Sequence, residues 1–425
     1  MTGGNGDGGA GSGVPPREWV ARTRGLLPGG HGRSTFGIAP EIPYAIAGSG
    51  PRVRTADGRD LIDLNNNFTT LVHGHAHPDL VAAAQRAVAD GACFGLPNLD
   101  ELRHAEALME RLPDLDRVRY ANSGTEAVMT ALRVARAHTG RDGVAMLRSA
   151  YHGTADPALA TGGETTTRGV PRGVLDDVAV LPLEDPDSLV RAVERERHRF
   201  AAVLIDFMPN RAGLVPVSDE LIAAAERVRA DHGVLLIADE VISFRHAYGG
   251  LARARGVVPD LMTLGKLIGG GHPVGAVAGR AAVMDELNPL LPHGLEHGGT
   301  FSANPVTMAA GRAALDALDA PAIERLNALG ERLRGTLSEP AAEHGWRVLG
   351  AGSLLRLDPA GGATAELRRR LWWEAVDREV LLVPNGLGAL STPMDEPLVD
   401  AVAERLADAV AAVPAPAGSA AAQSA

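Results

Sequence analysis

Short apolar runs alternate with helix-length amphipathic ones through the middle of this chain, and that alternation restricts the fold more than any other feature. Residues 201–206 read as a strand, 220–231 as a helix and 234–238 as a second strand. Strands buried on both faces and joined through helices predict an α/β fold, a mainly parallel sheet flanked by helices. Near Gly311 the pattern changes to long Ala/Leu/Arg helical stretches, through Leu337 and again over 363–378, with a strand-like run at 380–384. This predicts a second, smaller α/β domain.

At 425 residues and 45% hydrophobic content the chain can bury a large core. A formal charge of −11 and a pI near 5.7 argue against a nucleic-acid partner, and 191–199 reads as a charged helix face. With Cys93 as the one cysteine no intrachain disulfide can form, so a reducing cytoplasm is expected and Cys93 itself reads as a small buried residue. No apolar run approaches a membrane span, and the first residues lack a signal-peptide pattern, so no membrane association is expected. Residues 1–16 are glycine-rich and 414–425 Pro/Ala/Ser-rich, and both are expected to be disordered tails.

Lys266 is the only lysine, the other 40 of the 41 basic residues being arginine. Guanidinium stays protonated, whereas a desolvated ammonium can lose its proton and attack a carbonyl to form a Schiff base. A coding bias toward arginine would also leave a stray lysine. Position decides against chance: Lys266 lies between an apolar run ending in Asp239-Glu240 and the cluster Gly269-Gly270-Gly271, an unusual place for a solvated side chain.

Ligands of open parallel sheets sit beyond the carboxyl ends of the strands. Three such places stand out. Residues 118–126 pass from a short strand into a helix running to about His138, with Ser123 and Glu126 at capping-box spacing. Free backbone N–H groups and two hydroxyls there form either an anion site or an ordinary cap. The run 233–240 is apolar and ends in two carboxylates, which at that depth need a partner. One solution is a protonated pyridine nitrogen, kept cationic as an electron sink; the other is a salt bridge to Arg245. The third place is Lys266, 27 positions after Asp239 and just past a strand-like 261–264. An anion cradle, a deep acid and a lone lysine in this order are what pyridoxal 5′-phosphate requires.

From about Leu26 to Leu406 the chain resembles the class III pyridoxal-phosphate aminotransferases, in particular the glutamate-1-semialdehyde aminomutase branch. The matching segments include Gly74-His75-Ala76-His77-Pro78, Asn122-Ser123-Gly124-Thr125-Glu126-Ala127, Tyr151-His152-Gly153, Asp239-Glu240-Val241, Thr263-Leu264-Gly265-Lys266 and Gly298-Gly299-Thr300-Phe301-Ser302. The resemblance implies PLP-transferase fold type I with a seven-stranded type of sheet. It implies Lys266 as the cofactor-bearing and proton-shifting amine, and Asp239 as partner of the pyridine nitrogen. Ser123, Gly124 and Thr125 would hold the phosphate, Tyr151 would stack on the ring, and Thr300 would reach the phosphate of a neighbouring subunit, so a homodimer with shared active sites is expected. Arg33 matches a substrate-carboxylate clamp of relatives acting on β- or γ-amino acids. The expected division is an N-terminal segment, 17–70, packing with the small domain, a large cofactor domain at 71–310 and the small domain at 311–413.

Departures bear on the substrate. Where the family has Glu-Pro-Val, this chain has Asp206-Phe207-Met208, and Arg211 stands at the aminomutases' Asn position. Arg148 replaces part of a Phe-Glu-Gly, and 159–174 is shorter than the aminomutases' gating loop. Arg211 and Arg148 are candidates for recognising an anionic substrate, with a buried structural partner of Asp206 as the alternative for either. The expected activity is ping-pong transfer of an amino group between a small-molecule amino donor and a carbonyl acceptor, with aminomutation or epimerisation as the alternative. A remoter one is a metal-dependent hydrolase using His73, His75 and His77, with His152, His246 and His272 as further candidates. A kinase-type phosphate loop at Lys266 fails on spacing, since Asp260 stands where glycine is needed and Leu267 follows the lysine.

Overall fold

The computed structural model describes residues 17–36, 42–362 and 364–414. The tail 1–16 lies outside them, as does the second tail apart from Pro414. Strands β1 (Ala45–Ser49), β2 (Arg52–Thr55) and β3 (Asp60–Asp63) form an antiparallel meander. The next seven strands make the large sheet: β4 (Arg117–Ala121), β5 (Gly143–Leu147), β6 (Val178–Leu181), β7 (Phe200–Asp206), β8 (Leu235–Asp239), β9 (Leu261–Gly265) and β10 (Gly275–Gly279). Their order is β4-β10-β9-β8-β7-β5-β6, and β10 alone runs against its neighbours. The sheet is therefore mixed but mainly parallel, with helices against it. Four strands complete the set: β11 (Trp346–Leu349), β12 (Leu354–Pro359), β13 (Val380–Leu381) and β14 (Leu387–Ala389). β11, β12 and β14 form a small sheet, while β13 pairs in parallel with β3 and so ties the C-terminal part to the N-terminal meander.

Local chemistry accounts for most of these bounds. Every residue of β5 and β7 is buried, as their unbroken apolar runs require. The helix Asp219–His232 starts where the Ser218 side chain accepts from Leu221 N–H, and it stops at Gly233, whose φ of +63° suits glycine. The helical stretch after Gly311 is two helices, Pro305–Ala317 and Ala320–Glu343, separated because Asp319 caps the second through Ala322 N–H. The strand-like 380–384 contributes only Val380–Leu381; beyond it Val383 N–H bonds Leu387 and Gly386 N–H bonds Val383, so the chain turns. The main core cluster contains Val203, Ile205 and Leu264 of the large sheet together with Leu329, Leu333 and Leu406 of the C-terminal helices.

Cys93 is exposed rather than buried. It follows the helix Pro78–Asp90 in an irregular stretch whose Phe94 and Leu96 are exposed as well. Among the described residues no helix is long and apolar enough to cross a membrane.

Candidate active site

A cavity of about 320 Å³ opens beyond the carboxyl ends of the parallel strands; Lys266, Asp239, Asp206, Tyr151, His152 and Thr125 are among the residues that line it. The chain reaches it by strand ends: β7 delivers Asp206, β8 delivers Asp239 in register beside it, and β9 runs into Lys266.

One end of the cavity is a helix start. After β4 the side chain of Ser123 accepts from Glu126 N–H at 3.1 Å and begins the 16-residue helix Gly124–Thr139. Glu126 closes the other half of the cap on Asn122 N–H, 2.7 Å away, one residue earlier than a standard capping box. That leaves the N–H groups of Gly124 and Thr125, at the positive end of a four-turn dipole, for an anion. The approach is tight: a Cβ on Gly275 would lie 2.0 Å from the Ser123 carbonyl, and one on Gly153 (φ +88°) would lie 2.4 Å from Thr125 Oγ1.

The middle holds the acids and the amine. Asp239 Oδ2 is 2.7 Å from His152 Nδ1, while its Oδ1 accepts from Thr263 Oγ1 at 3.0 Å and from Val241 N–H at 3.1 Å. Contacts to both oxygens fix the carboxylate's direction. His152 Nε2 is buried without a partner. Lys266 is held at φ +52°, a left-handed conformation unfavourable for a side chain with Cβ, so the surrounding structure rather than local preference aims its amine. Burial pushes its ammonium toward losing a proton, against the opposing charges of Asp239 and Asp206. Asp206 is pushed up from 3.8 to about 7, by burial and then by the charge of Asp239. Glu240 faces elsewhere. It accepts from Ser243 Oγ at 2.6 Å and from Leu251 and Ala252 N–H at 3.1 and 2.5 Å, so it caps the short helix Leu251–Ala254.

The salt-bridge alternative for these acids is not what the structure holds. Arg245 is buried and bonds Ser353 Oγ and the carbonyls of Thr69 and Leu390 instead. Nor does Arg211 pair with Asp206, whose Oδ1 accepts from Met208 N–H at 2.9 Å; Arg211 lies over the Tyr151 ring, 4.7 Å from its centroid. Arg33 also stands behind the wall, donating to Asn67 Oδ1 at 2.8 Å and covering Phe68, while Asn67 lines the cavity. Arg148 is exposed and does not line it. Thr300 lines a different cavity, with Cys93, Phe94 and Asn304, so within one subunit it is not brought to Lys266. The three histidines of the His-x-His stretch are engaged one by one: His73 with the Ala314 carbonyl, His75 with Asp63, His77 edge-on to His73.

Sequence reasoning did not find His152 and Thr263 as the supports of Asp239, nor Asp206 and Asn67 as lining residues. His152 and Thr263 stand inside motifs quoted for the resemblance and Asp206 at a departure from it, but nothing local marks their roles; Asn67 carries no signal of its own.

A match to the aminotransferase class-III family model spans residues 41–392. The chain belongs to the class-III aminotransferases. It is 34% identical to the glutamate-1-semialdehyde 2,1-aminomutase of Akkermansia muciniphila over 91% of this chain and 96% of that one. An omega-transaminase structure from Sphaerobacter thermophilus superposes with a TM-score of 0.88 at 40% identity, covering 94% of this chain and 98% of its own. A transaminase with PLP bound gives 0.89 at 38% identity, covering 93% and 97%. The fold is therefore PLP fold type I, and the chain is an enzyme of this family.

The residues present fit pyridoxal 5′-phosphate. A helix start with unpaired N–H groups, an aromatic ring, a fixed carboxylate at a strand end and a desolvated amine line one cavity.

Proposed function

We propose that this chain moves an amino group from an amino acid donor to a carbonyl acceptor in two half-reactions at Lys266. Pyridoxal 5′-phosphate is its cofactor. When bound it supplies an electron sink for the donor carbon that loses a proton. The observation that carries the reading is the chain's one lysine, half-buried, with its ammonium pushed toward neutrality, in the cavity that also receives Asp239 and a helix start.

The chain's own residues then have distinct tasks. Gly124 and Thr125 N–H and the Ser123 and Thr125 hydroxyls bind the phosphate. Tyr151 covers the ring. Asp239, aimed by His152 and Thr263, holds a proton on the ring nitrogen. Lys266 Nζ takes the proton from the donor carbon and would hand it to the cofactor in the first half-reaction, and makes the reverse transfer to the acceptor carbon in the second. Arg33 takes a substrate carboxylate. Thr300 completes the phosphate site of a second copy, in a homodimer; the exposed Phe94, Leu96, Leu99 and Phe301 around its cavity support a covered face. The division at residues 70 and 310 belongs to the same reading, supported by the β3–β13 pairing, as does a cytoplasmic setting, supported by the absence of any possible intrachain disulfide.

Borohydride treatment of the loaded protein followed by peptide mapping tests the reading: the adduct is expected on Lys266, and an adduct elsewhere, or none, sinks it. The second reading, aminomutation, is favoured by the 34% identical aminomutase. Incubation with glutamate-1-semialdehyde and no added acceptor separates the two, since only an aminomutase turns it over repeatedly.

A further inference from the structure

Among the described residues no arginine lines the Lys266 cavity, although Arg33 and Arg211 stand one side chain behind its wall. They differ in how they are held. Arg33 is hydrogen-bonded to Asn67. The Arg211 guanidinium is exposed and rests on the Tyr151 ring, with no hydrogen bond or ion pair to any described residue.

Beneath that free side chain the backbone is tightly fixed. Arg211 lies in the turn Asn210–Ala212 that follows β7. Asp206 accepts from Met208 N–H, the Pro209 carbonyl accepts from Ala212 and Leu214 N–H, Leu214 is fully buried, and Arg356 of β12 donates to the Asn210 carbonyl. A cation mounted on a rigid turn beside the cavity, in contact only with a lining ring, is free to swing. An exposed cation–ring contact is worth about 0.5–1 kcal/mol, so a charge-assisted, bidentate bond to a carboxylate displaces it. The cavity also creates a need for such a charge. The acids lining it, Asp206 and Asp239, offer no positive partner to a substrate's second carboxylate, and a cation at the rim supplies one.

We propose that Arg211 is a specificity-determining residue that leaves Tyr151 to bind the distal carboxylate of a dicarboxylic amino donor and of its 2-oxo acid. This rests on the aminotransferase reading and names the substrate class of the same site. One of the two half-reactions is then selective for dicarboxylic over monocarboxylic substrates of similar length.

The test compares wild type, R211Q and R211K, each loaded with pyridoxal phosphate and checked for unchanged melting temperature. Glutamate and 2-aminoadipate are set against alanine and 2-aminobutyrate, with the half-reaction followed by the visible absorbance change. In R211Q the preference for dicarboxylic donors, as a ratio of kcat/KM values, falls about tenfold to a hundredfold, the scale of a lost charged hydrogen bond. The change lies in KM rather than kcat, and R211K recovers part of it. Calorimetry with glutarate against butyrate on cofactor-free protein follows the same order. Equal losses for both donor classes, an unaltered ratio, or a wild type inert to both dicarboxylic donors overturns the assignment. If borohydride fixes no cofactor on Lys266, the aminotransferase reading fails, and the glutarate affinity of R211Q then judges Arg211 separately.

Discussion

The two walls of the Lys266 cavity are built on opposite principles. One is made of strand ends and a helix start, where short-range rules place the groups: the Ser123 hydroxyl and Glu126 N–H that begin the cradle are three residues apart. The other is the strap from Asn65 to Thr70, in which Asn66, Asn67, Phe68 and Thr69 all have positive φ, between +46° and +73°. Four consecutive left-handed residues with side chains cost about 1 kcal/mol each or more. The surroundings hold them. Asp63 accepts from Asn65 and Asn66 N–H, Asn66 donates to the Ala389 carbonyl 323 residues away, and Arg245 donates to the Thr69 carbonyl 176 residues away. The first wall begins from local rules, with distant support only where Lys266 and Asp239 are aimed, and suits the invariant part of the chemistry. The second is an imposed shape that carries Asn67 and, through it, Arg33, and so suits the part that varies with substrate.

Substitutions on the first wall affect chemistry most. Lys266→Ala removes turnover by about 10⁴-fold or more and removes the visible band, as steady-state assay and absorbance will read. Asp239→Asn keeps the cofactor bound, while kcat falls about 10²- to 10³-fold in the same assay. Near-normal rates in either variant break the division between the walls.

On the strap the effect moves to stability. Burial pushes Arg245 down to about 9, and it still supplies three hydrogen bonds. Arg245→Met orphans those acceptors and lowers unfolding free energy by about 2–4 kcal/mol in urea titration. Asp206 sharpens the comparison through pH. Its folded pKa is raised from 3.8 to about 7, so its stabilising contribution is complete below 3.8 and is lost as pH rises through 7. Cofactor-free Asp206→Asn, which mimics the protonated acid, gains on wild type across that window by at least about 1 kcal/mol and levels off above it. Asn67→Ala is the mildest, costing about 1 kcal/mol at a left-handed position and releasing Arg33, which a rise in KM for carboxylate-bearing donors reports.

How far the sequence could be read follows from the range of the contacts involved. The cap at Ser123, the acid closing an apolar run and the lysine before a glycine cluster are each written in a few consecutive residues, and all three line one cavity. The His152–Asp239 contact spans 87 positions and the Thr263–Asp239 bond spans 24, so neither leaves a local pattern. Arg245 was a plausible counter-ion by proximity in sequence, yet its guanidinium points across to the small sheet and the strap. Cys93 was misjudged because composition gives a cysteine's average burial, not that of one in an irregular exposed segment.

By itself the sequence determined the alternating α/β architecture, the family and the chemical identity of the amine, because apolar periodicity and a solitary lysine are properties of the chain before it folds. Only the tertiary structure decided which groups aim Asp239, how the strap is forced into a left-handed path and which of the two arginines beside the cavity makes no hydrogen bond to a described residue. Those are set by packing between segments far apart in the chain, where a partner is defined by distance in space rather than by position in sequence.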